Sequence, residues 1–136
     1  MKFLLDTDAA SEAARRRPSA RFMAHLREHA AEMAISAISV GEIVFEARRA
    51  PGGERYLAYL RDAVLPHVRV LAVDAAVATR YGELRAALEA AGRPLPDLDL
   101  LVAATALSHD LALVTGNRRH FERIPELELP DWFGRR

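Results

Sequence analysis

Residues 2–11 read KFLLDTDAAS, a short apolar run that stops at two acidic residues on either side of a threonine. The run is too brief for a helix, and Asp6, Thr7 and Asp8 are residue types that favour the start of one. This segment therefore predicts a buried strand that leads directly into a helix. An acid at such a junction lies at the carboxyl end of the strand, where open α/β sheets bind their ligands.

Two more acids occupy similar places further along the chain. Glu42 lies in AISAISVGEI, residues 34–43, and Asp99 lies in GRPLPDLDLLVAA, residues 92–104. Carboxylates at strand ends converge on one crevice, and without a lysine partner they call for a divalent cation such as Mg²⁺. We therefore expect Asp6, Glu42 and Asp99 to support metal-dependent phosphodiester chemistry.

Each acid also has a purely structural interpretation. Ser39 and Glu42 have the spacing of a capping box, and Asp97 suits the N-cap of the helix that follows it. Asp6 suits the first turn of a helix, where an acid faces the positive end of the helix dipole. Asp99 is harder to explain in this way, because it lies within a run of leucines that a core-facing helix would carry. Capping and metal binding are compatible, so both remain open for the other acids.

The rest of the chain alternates between strand and helix patterns. Strands are predicted at residues 2–5, 33–38, 68–73 and 112–115, with 127–129 as a candidate fifth strand. Helical patterns fill the intervals, and they are bounded by Pro18, Pro51-Gly52-Gly53, Asp74, Gly92 and Asp97. This alternation predicts an α/β fold with a parallel sheet of four to five strands and helices on both faces.

Composition narrows the functional classes. The 136 residues fit one domain, and 19 basic and 19 acidic residues give a net charge of zero, so nucleic acid could bind only to local patches. The absence of cysteine excludes disulfides, thiol nucleophiles and Cys-ligated zinc. Lys2 is the only lysine, which disfavours any chemistry with a catalytic lysine. Without a signal peptide or a stretch of membrane length, we expect a cytoplasmic protein with no membrane partner.

Four segments resemble, in order and spacing, the PIN-domain nucleases, and more closely the VapC toxins of bacterial toxin–antitoxin pairs. LLDTD resembles the family's L-D-T-N, and ISAISVGEI resembles its I-S-x-x-x-x-x-E segment. GRPLPDLDLLVAATA resembles its G-x-P-(x)n-D-x-x-I-A-A-x-A, and LVTGNRRHFERIPELELPDW resembles its L-V-T-x-N-x-x-x-F-x-R-I-(x)n-W ending. The resemblance runs from Met1 to Trp132.

The resemblance implies a single PIN domain over residues 1–136 and an endoribonuclease that depends on Mg²⁺ or Mn²⁺. It implies three metal-binding catalytic acids, two supporting hydroxyls and an amide at the fourth corner of the site: Asp6, Glu42, Asp99, Thr7, Thr115 and Asn117. The chain also departs from the family pattern. Asp8 stands where the family usually has Asn, and Asn117 and His120 stand where many members carry an acid. The fourth ligand, and the choice between one and two ions, therefore stay open.

The implied partners are an RNA substrate, a VapB-like antitoxin and a second copy of the chain. Arg118 and Arg119 could contact RNA phosphates near the rim of the site. An apolar stripe on the helix after Gly53 could contribute to a dimer or antitoxin surface, or could pack on the domain's own sheet: Tyr56, Leu57, Leu60 and Val64.

Two other functions compete with a nuclease. One is a non-catalytic PIN-like binding module, which the three acids argue against. The other is a metal-dependent phosphatase that uses the D-x-D of Asp6 and Asp8, a chemistry that also needs a lysine.

Overall fold

Four short parallel strands form the centre of the structure, a computed structural model that describes residues 1–134. They are β1 (Phe3–Leu5), β2 (Met33–Ser36), β3 (Arg69–Leu71) and β4 (Ala112–Val114), in the order β3-β2-β1-β4. β1 pairs in parallel with both β2 and β4, and β2 pairs in parallel with β3. The chain therefore leaves β1 on one side to form β2 and β3, and then crosses to the other side of β1 to form β4.

Seven α-helices surround this sheet within residues 1–134. They are α1 (Thr7–Glu12), α2 (Ala20–Glu28), α3 (Ala37–Arg49), α4 (Gly53–Tyr59), α5 (Ala75–Ala90), α6 (Asp97–Ser108) and α7 (Arg118–Phe121). A π-helical turn (Leu60–Val64) and a 3₁₀ turn (Leu65–His67) connect α4 to β3. None of the helices in residues 1–134 combines the length and the apolar character that a membrane span requires.

The alternation of side chains along the strands builds a core on each face of the sheet. Leu4 and Leu113 pack on one face, in the cluster that contains side chains of α5 and α6. Leu5 and Val114 pack on the opposite face, in the cluster that contains side chains of α1, α2 and α3. All four are at most 2% exposed. The predicted α/β fold, with a parallel sheet covered on both faces, is confirmed.

The boundary between β2 and α3 differs from the prediction. The strand predicted at 33–38 ends at Ser36, and α3 begins directly after it instead of after Ser39. Ser36 is the N-cap, because its hydroxyl accepts a hydrogen bond from the backbone N–H of Ile38 at 3.1 Å. The predicted capping box is therefore wrong: Ser39 is buried within the first turn of α3, and Glu42 lies beyond it.

Two further expectations are corrected at the other end of the chain. Asp97 is the first residue of α6 and not its N-cap, which is Pro96. Residues 127–129 do not form a fifth strand, although the backbone N–H of Leu113 donates to the carbonyl of Glu128 at 2.9 Å. A single bond of this kind holds the segment beside β4 without extending the ladder, so the sheet of residues 1–134 has four strands.

The C-terminal aromatic residues close the core beside α2. The ring of Trp132 is 3% exposed, and its centroid lies 4.9 Å from that of Phe3 and 6.1 Å from that of Phe22. Phe133 stacks on Phe22 at 4.7 Å. The last described residues therefore pack against the first strand and the second helix.

Candidate active site

The first of the three acids lies where β1 and β4 meet. Asp6 directly follows β1, and its backbone N–H donates to the carbonyl of Val114, the last residue of β4, at 3.0 Å. Its side chain caps α1, because Oδ1 accepts a hydrogen bond from the backbone N–H of Ala9 at 2.8 Å. Since the chain departs to opposite sides of β1, Asp6 lies at the topological switch point of the sheet.

Burial makes Asp6 a weaker acid. The residue is 7% exposed, and desolvation is the largest cause that raises its pKa from the ordinary value of 3.8 to about 6. The negative charges of Asp8 and Asp99 also raise this pKa, whereas hydrogen bonds from the Thr115 hydroxyl and the Ala9 amide lower it. A divalent cation at this place would offset both the lost hydration and the repulsion between the acids. The buried carboxylate therefore fits a cation site.

Glu42 approaches the same place from α3. The hydroxyl of Thr7, the first residue of α1, donates to Glu42 Oε1 at 2.7 Å. This hydrogen bond joins α1 to α3 through two residues that are 35 positions apart in the chain. It holds the Glu42 carboxylate near the carboxyl end of β1.

Asp99 lies in the first turn of α6, beside a histidine that we did not assign to the site from the sequence. His120 Nε2 is 2.8 Å from Asp99 Oδ2. His120 belongs to α7, which follows β4, and its side chain is 23% exposed against 36% for Asp99. The available signal was its position, because His120 follows the strand beside β1 at a place where many family members carry an acid. A histidine there accompanies Asp99, whereas an acid would repel it.

Thr115 and Asn117 extend the site from the end of β4. Thr115 is 1% exposed, and its Oγ1 accepts a hydrogen bond from the backbone N–H of Asn117 at 2.9 Å. The same hydroxyl is hydrogen-bonded to Asp6. Because the oxygen already accepts from Asn117, its hydrogen is available for the Asp6 carboxylate. Asn117 therefore acts on the site through its backbone, while the residue itself is exposed.

One open cavity brings the acids together. Its volume is about 750 Å³. Five acidic side chains of residues 1–134 line it: Asp6, Asp8, Glu42, Glu46 and Asp99. In the described part of the chain no lysine or arginine lines it, although Arg49 outside the lining pairs with Glu46 at 3.1 Å. Such a cavity attracts cations and repels an RNA phosphate unless a cation is bound first.

The three central carboxylates share this cavity without forming a tight cluster. Within residues 1–134, the group whose ligand atoms all lie within 4.8 Å of one another is a different one, formed by His25, Glu28 and His29 at the end of α2. Mg²⁺ usually keeps several waters and takes only one or two carboxylates directly. A cation that keeps several waters does not need all three carboxylates as direct ligands.

Comparison with known proteins identifies the family of this chain. A model of the PIN domain matches residues 3–127, which is most of the chain. The tRNA(fMet)-specific endonuclease VapC of Shigella flexneri is 35% identical over 133 residues, which cover 97% of this chain and 98% of that protein. The chain belongs to the VapC branch of the PIN domain family.

Solved structures agree with this assignment. A DNA-bound VapBC from Salmonella typhimurium contains a chain with a TM-score of 0.89 and 32% sequence identity, covering 97% of this PIN domain and 98% of that chain. VapBC2 from Rickettsia felis, bound to a DNA fragment from its promoter, gives a TM-score of 0.86 and 30% identity over 96% and 98% of the two chains. The four-stranded parallel sheet with helices around it is therefore the PIN fold.

The two arginines proposed for RNA binding lie at the start of α7 in this PIN domain. Arg118 and Arg119 are both exposed. Arg118 Nε donates to the backbone carbonyl of Leu129 at 2.9 Å, so part of its guanidinium is already occupied by the C-terminal segment. Arg119 is the better placed of the two for a mobile contact with a phosphate.

Lys2 and Asp97 take no part in the cavity of this PIN domain. Lys2, the single lysine, precedes β1 and pairs with Glu32 at 3.2 Å. It therefore lies at the amino end of this strand, whereas Asp6 lies at the carboxyl end. It cannot serve the D-x-D phosphatase chemistry, and that alternative has no support. Asp97 accepts a hydrogen bond from the Tyr81 hydroxyl at 2.9 Å and faces α5 instead of the cavity.

Proposed function

We propose that this PIN domain is an endoribonuclease that requires Mg²⁺ or Mn²⁺ and acts as the toxin of a toxin–antitoxin pair. The observation that carries the proposal is the buried Asp6, which lies at the β1–β4 switch point in a cavity that Glu42 and Asp99 also line. Burial and repulsion both disfavour this charge, and a divalent cation offsets both. We also propose that residues 1–136 form a single domain that works in the cytoplasm, where RNA substrates are found.

The catalytic and metal-binding residues in this proposal are Asp6, Glu42 and Asp99. A bound divalent ion supplies an acidified water and stabilises charge on the phosphoryl oxygens. The chain itself positions the acids: the Thr7 hydroxyl holds Glu42, and the Thr115 hydroxyl donates to Asp6. These bonds fix the directions of the carboxylates before the substrate arrives.

We propose that His120 and Asn117 complete the fourth side of the site. His120 holds the Asp99 carboxylate through Nε2, and the Asn117 amide fixes the Thr115 hydroxyl through its backbone N–H. Neither residue adds a negative charge where many family members have one. A site with fewer carboxylates favours one bound divalent ion over two.

The substrate class in this proposal is RNA, and more narrowly a tRNA. The support is the 35% identity with a relative that is named for tRNA(fMet). Because the net charge is zero, local contacts must hold the RNA, and Arg119 after β4 is an exposed candidate for a phosphate contact.

The purified protein is expected to cleave labelled tRNA(fMet) in the presence of Mg²⁺ or Mn²⁺ and to lose this activity in EDTA. The chain has no cysteine, and its lysine lies outside the cavity, so a metal-activated water is the available nucleophile. Gel analysis of cleavage, with elongator tRNA(Met) as the matched substrate, measures both the metal requirement and the preference. Added Mg²⁺ should restore the activity after dialysis. Undiminished cleavage in metal-free buffer would contradict the mechanism, and equal cleavage of both tRNAs would remove only the preference.

We propose two protein partners, a VapB-like antitoxin and a second copy of this chain. The support is the likeness to chains in VapBC structures from Salmonella typhimurium and Rickettsia felis. Most of the apolar stripe on the helix after Gly53 packs within the domain. Leu60 is 4% exposed, and Tyr56 and Val64 pack against the core. Phe45 is 58% exposed beside the acidic cavity, where it offers an apolar contact for a partner.

Co-expression with the product of a neighbouring short reading frame is expected to give a stable complex without ribonuclease activity. An arginine from the antitoxin matches the cavity acids as a guanidinium fork and would compete with the metal ion. Size-exclusion chromatography and a tRNA cleavage assay over a Mg²⁺ titration test both points. A complex that keeps full activity, or a free protein that is strictly monomeric, would count against the toxin assignment and leave the nuclease assignment standing.

A further inference from the structure

A second group of metal-ligating side chains lies at the carboxyl-terminal end of α2, outside the acidic cavity. His25, Glu28 and His29 each offer one ligand atom, and these atoms all lie within 4.8 Å of one another. Their i, i+3, i+4 spacing runs from the last turn of α2 to its C-cap residue His29 and places them on one side of the helix end. Two imidazoles and one carboxylate form the donor set of three-ligand zinc sites, in which water takes the fourth position.

Both histidine rings are held in place by the C-terminal tryptophan. The ring of Trp132 is 3% exposed and stacks on His25 at 5.3 Å with an interplanar angle of 13°. It also stacks on His29 at 5.5 Å with an angle of 16°. The two imidazoles therefore have fixed, nearly parallel orientations, and little side-chain entropy remains to be lost when a ligand binds.

Glu32 orients one of these rings from outside the group. His29 Nδ1 lies 3.0 Å from Glu32 Oε1. The Glu32 carboxylate is also paired with Lys2 Nζ at 3.2 Å, so it serves as the acceptor in both contacts. His29 Nδ1 must then carry the hydrogen, which leaves the lone pair of Nε2 available to a metal ion. A carboxylate behind a ligating histidine is the usual outer support of a zinc site.

We propose that His25, Glu28 and His29 form a binding site for Zn²⁺ that is separate from the catalytic cavity. The site lies beside the amino end of β1, because His29 contacts Phe3 at 4.7 Å between ring centroids, whereas Asp6 lies beyond the carboxyl end of that strand. The bound ion stabilises α2 and, through the stacked rings, the C-terminal segment around Trp132. Glu32 is a positioning residue for this site.

The test uses the full-length protein without a polyhistidine tag and with Asp99→Asn to weaken metal binding in the cavity. Calorimetric titration with ZnCl₂ is expected to show one Zn²⁺ per chain and a rise in the melting temperature by several degrees. Ni²⁺ or Cu²⁺, which bind the same ligand types, are expected to quench the fluorescence of Trp132, the single tryptophan of the chain.

Four further substitutions, each made in the Asp99→Asn protein, test which side chains bind Zn²⁺. His29→Gln removes a ligand, and Glu28→Gln removes an exposed ligand without disturbing the ring stacking, so it stays informative if His29→Gln unfolds. Glu32→Gln keeps all ligands and is expected to weaken Zn²⁺ binding by ~10- to 100-fold. His109→Gln is the control and should bind like the parent.

The proposal is overturned if Zn²⁺ neither binds the Asp99→Asn protein nor raises its melting temperature. It is also overturned if binding is unchanged in Glu28→Gln, because the zinc would then be held elsewhere. Retention of Zn²⁺ affinity in Glu32→Gln would remove the positioning role of Glu32. None of these results depends on ribonuclease activity, so they are independent of the proposed function.

Discussion

The Asp99→Asn variant is expected to lose ribonuclease activity while keeping its fold. The substitution preserves the size of the side chain but removes one charge from the cavity that Asp6 and Glu42 share, and it replaces the carboxylate that His120 contacts. Loss of an outer-shell partner typically costs ~10- to 100-fold, and we expect a larger loss for a metal-binding acid. Single-turnover cleavage of tRNA(fMet) at saturating Mg²⁺ measures the effect, and circular dichroism confirms the fold.

Asp97→Asn is the matched control for this experiment. Both acids lie in the first turn of α6, so the two variants change the helix dipole interaction in similar ways. Asp97, however, contacts the Tyr81 hydroxyl and lies 3.4 Å from Arg85, away from the cavity. The control should keep wild-type activity. Equal losses in both variants would attribute the effect to the helix terminus, and wild-type cleavage by Asp99→Asn would refute the role of that residue.

The sheet could be predicted from the sequence because its signals are local. Strands buried on both faces read as unbroken apolar runs, and the residues that follow them favour helix starts. Leu4 and Leu5 pack on opposite faces of β1, which is why the run tolerates no polar residue before Asp6. Only the position of Asp6 follows directly from this topology, because it lies at the carboxyl end of β1. Glu42 lies beyond the first turn of α3, and Asp99 lies in α6, which follows α5 and not a strand, so the expected place of Asp99 at a strand end is wrong. The packing of α3 and α6 brings these two acids to the cavity that Asp6 lines.

The errors arose where a side chain has a partner far away in the chain. Glu42 satisfies the local capping-box pattern, but it bonds to Thr7 across 35 residues, and Ser36 takes the N-cap. The position of His120 after β4 was a signal, but its partner could not be read from the sequence, because the contact with Asp99 spans 21 residues. Asp97 suited a cap by type, yet the hydroxyl of Tyr81 on α5 holds its carboxylate. Such long-range contacts depend on the folded arrangement and cannot be read from neighbouring residues.

In metal-free solution, Asp6→Asn is expected to be more stable than the wild type at pH 7 and similar to it below pH 4. The pKa of Asp6 is 3.8 in the ordinary case and about 6 in the folded protein, because burial disfavours its charge. Between these values the folded state holds a proton that the unfolded state has released. The free energy of unfolding of the wild type therefore falls as the pH rises from about 4 to about 6. A pKa shift of this size lowers the free energy of unfolding of the wild type by about 3 kcal/mol, at ~1.4 kcal/mol per pKa unit.

Urea denaturation in EDTA over this pH range measures the difference, and Asp74→Asn is the matched control. Asp74 caps α5 just as Asp6 caps α1, with Oδ1 accepting from the Val77 amide at 3.0 Å, but it is exposed. Asn and Asp are similar N-caps, so the control should show no comparable pH-dependent gain. Mg²⁺ at pH 7 should stabilise the wild type and leave Asp6→Asn nearly unchanged, because only the former presents the carboxylate. If the gap between Asp6→Asn and the wild type does not widen from pH 4 to pH 7, burial of Asp6 carries no electrostatic cost, and the argument that this carboxylate requires a cation fails.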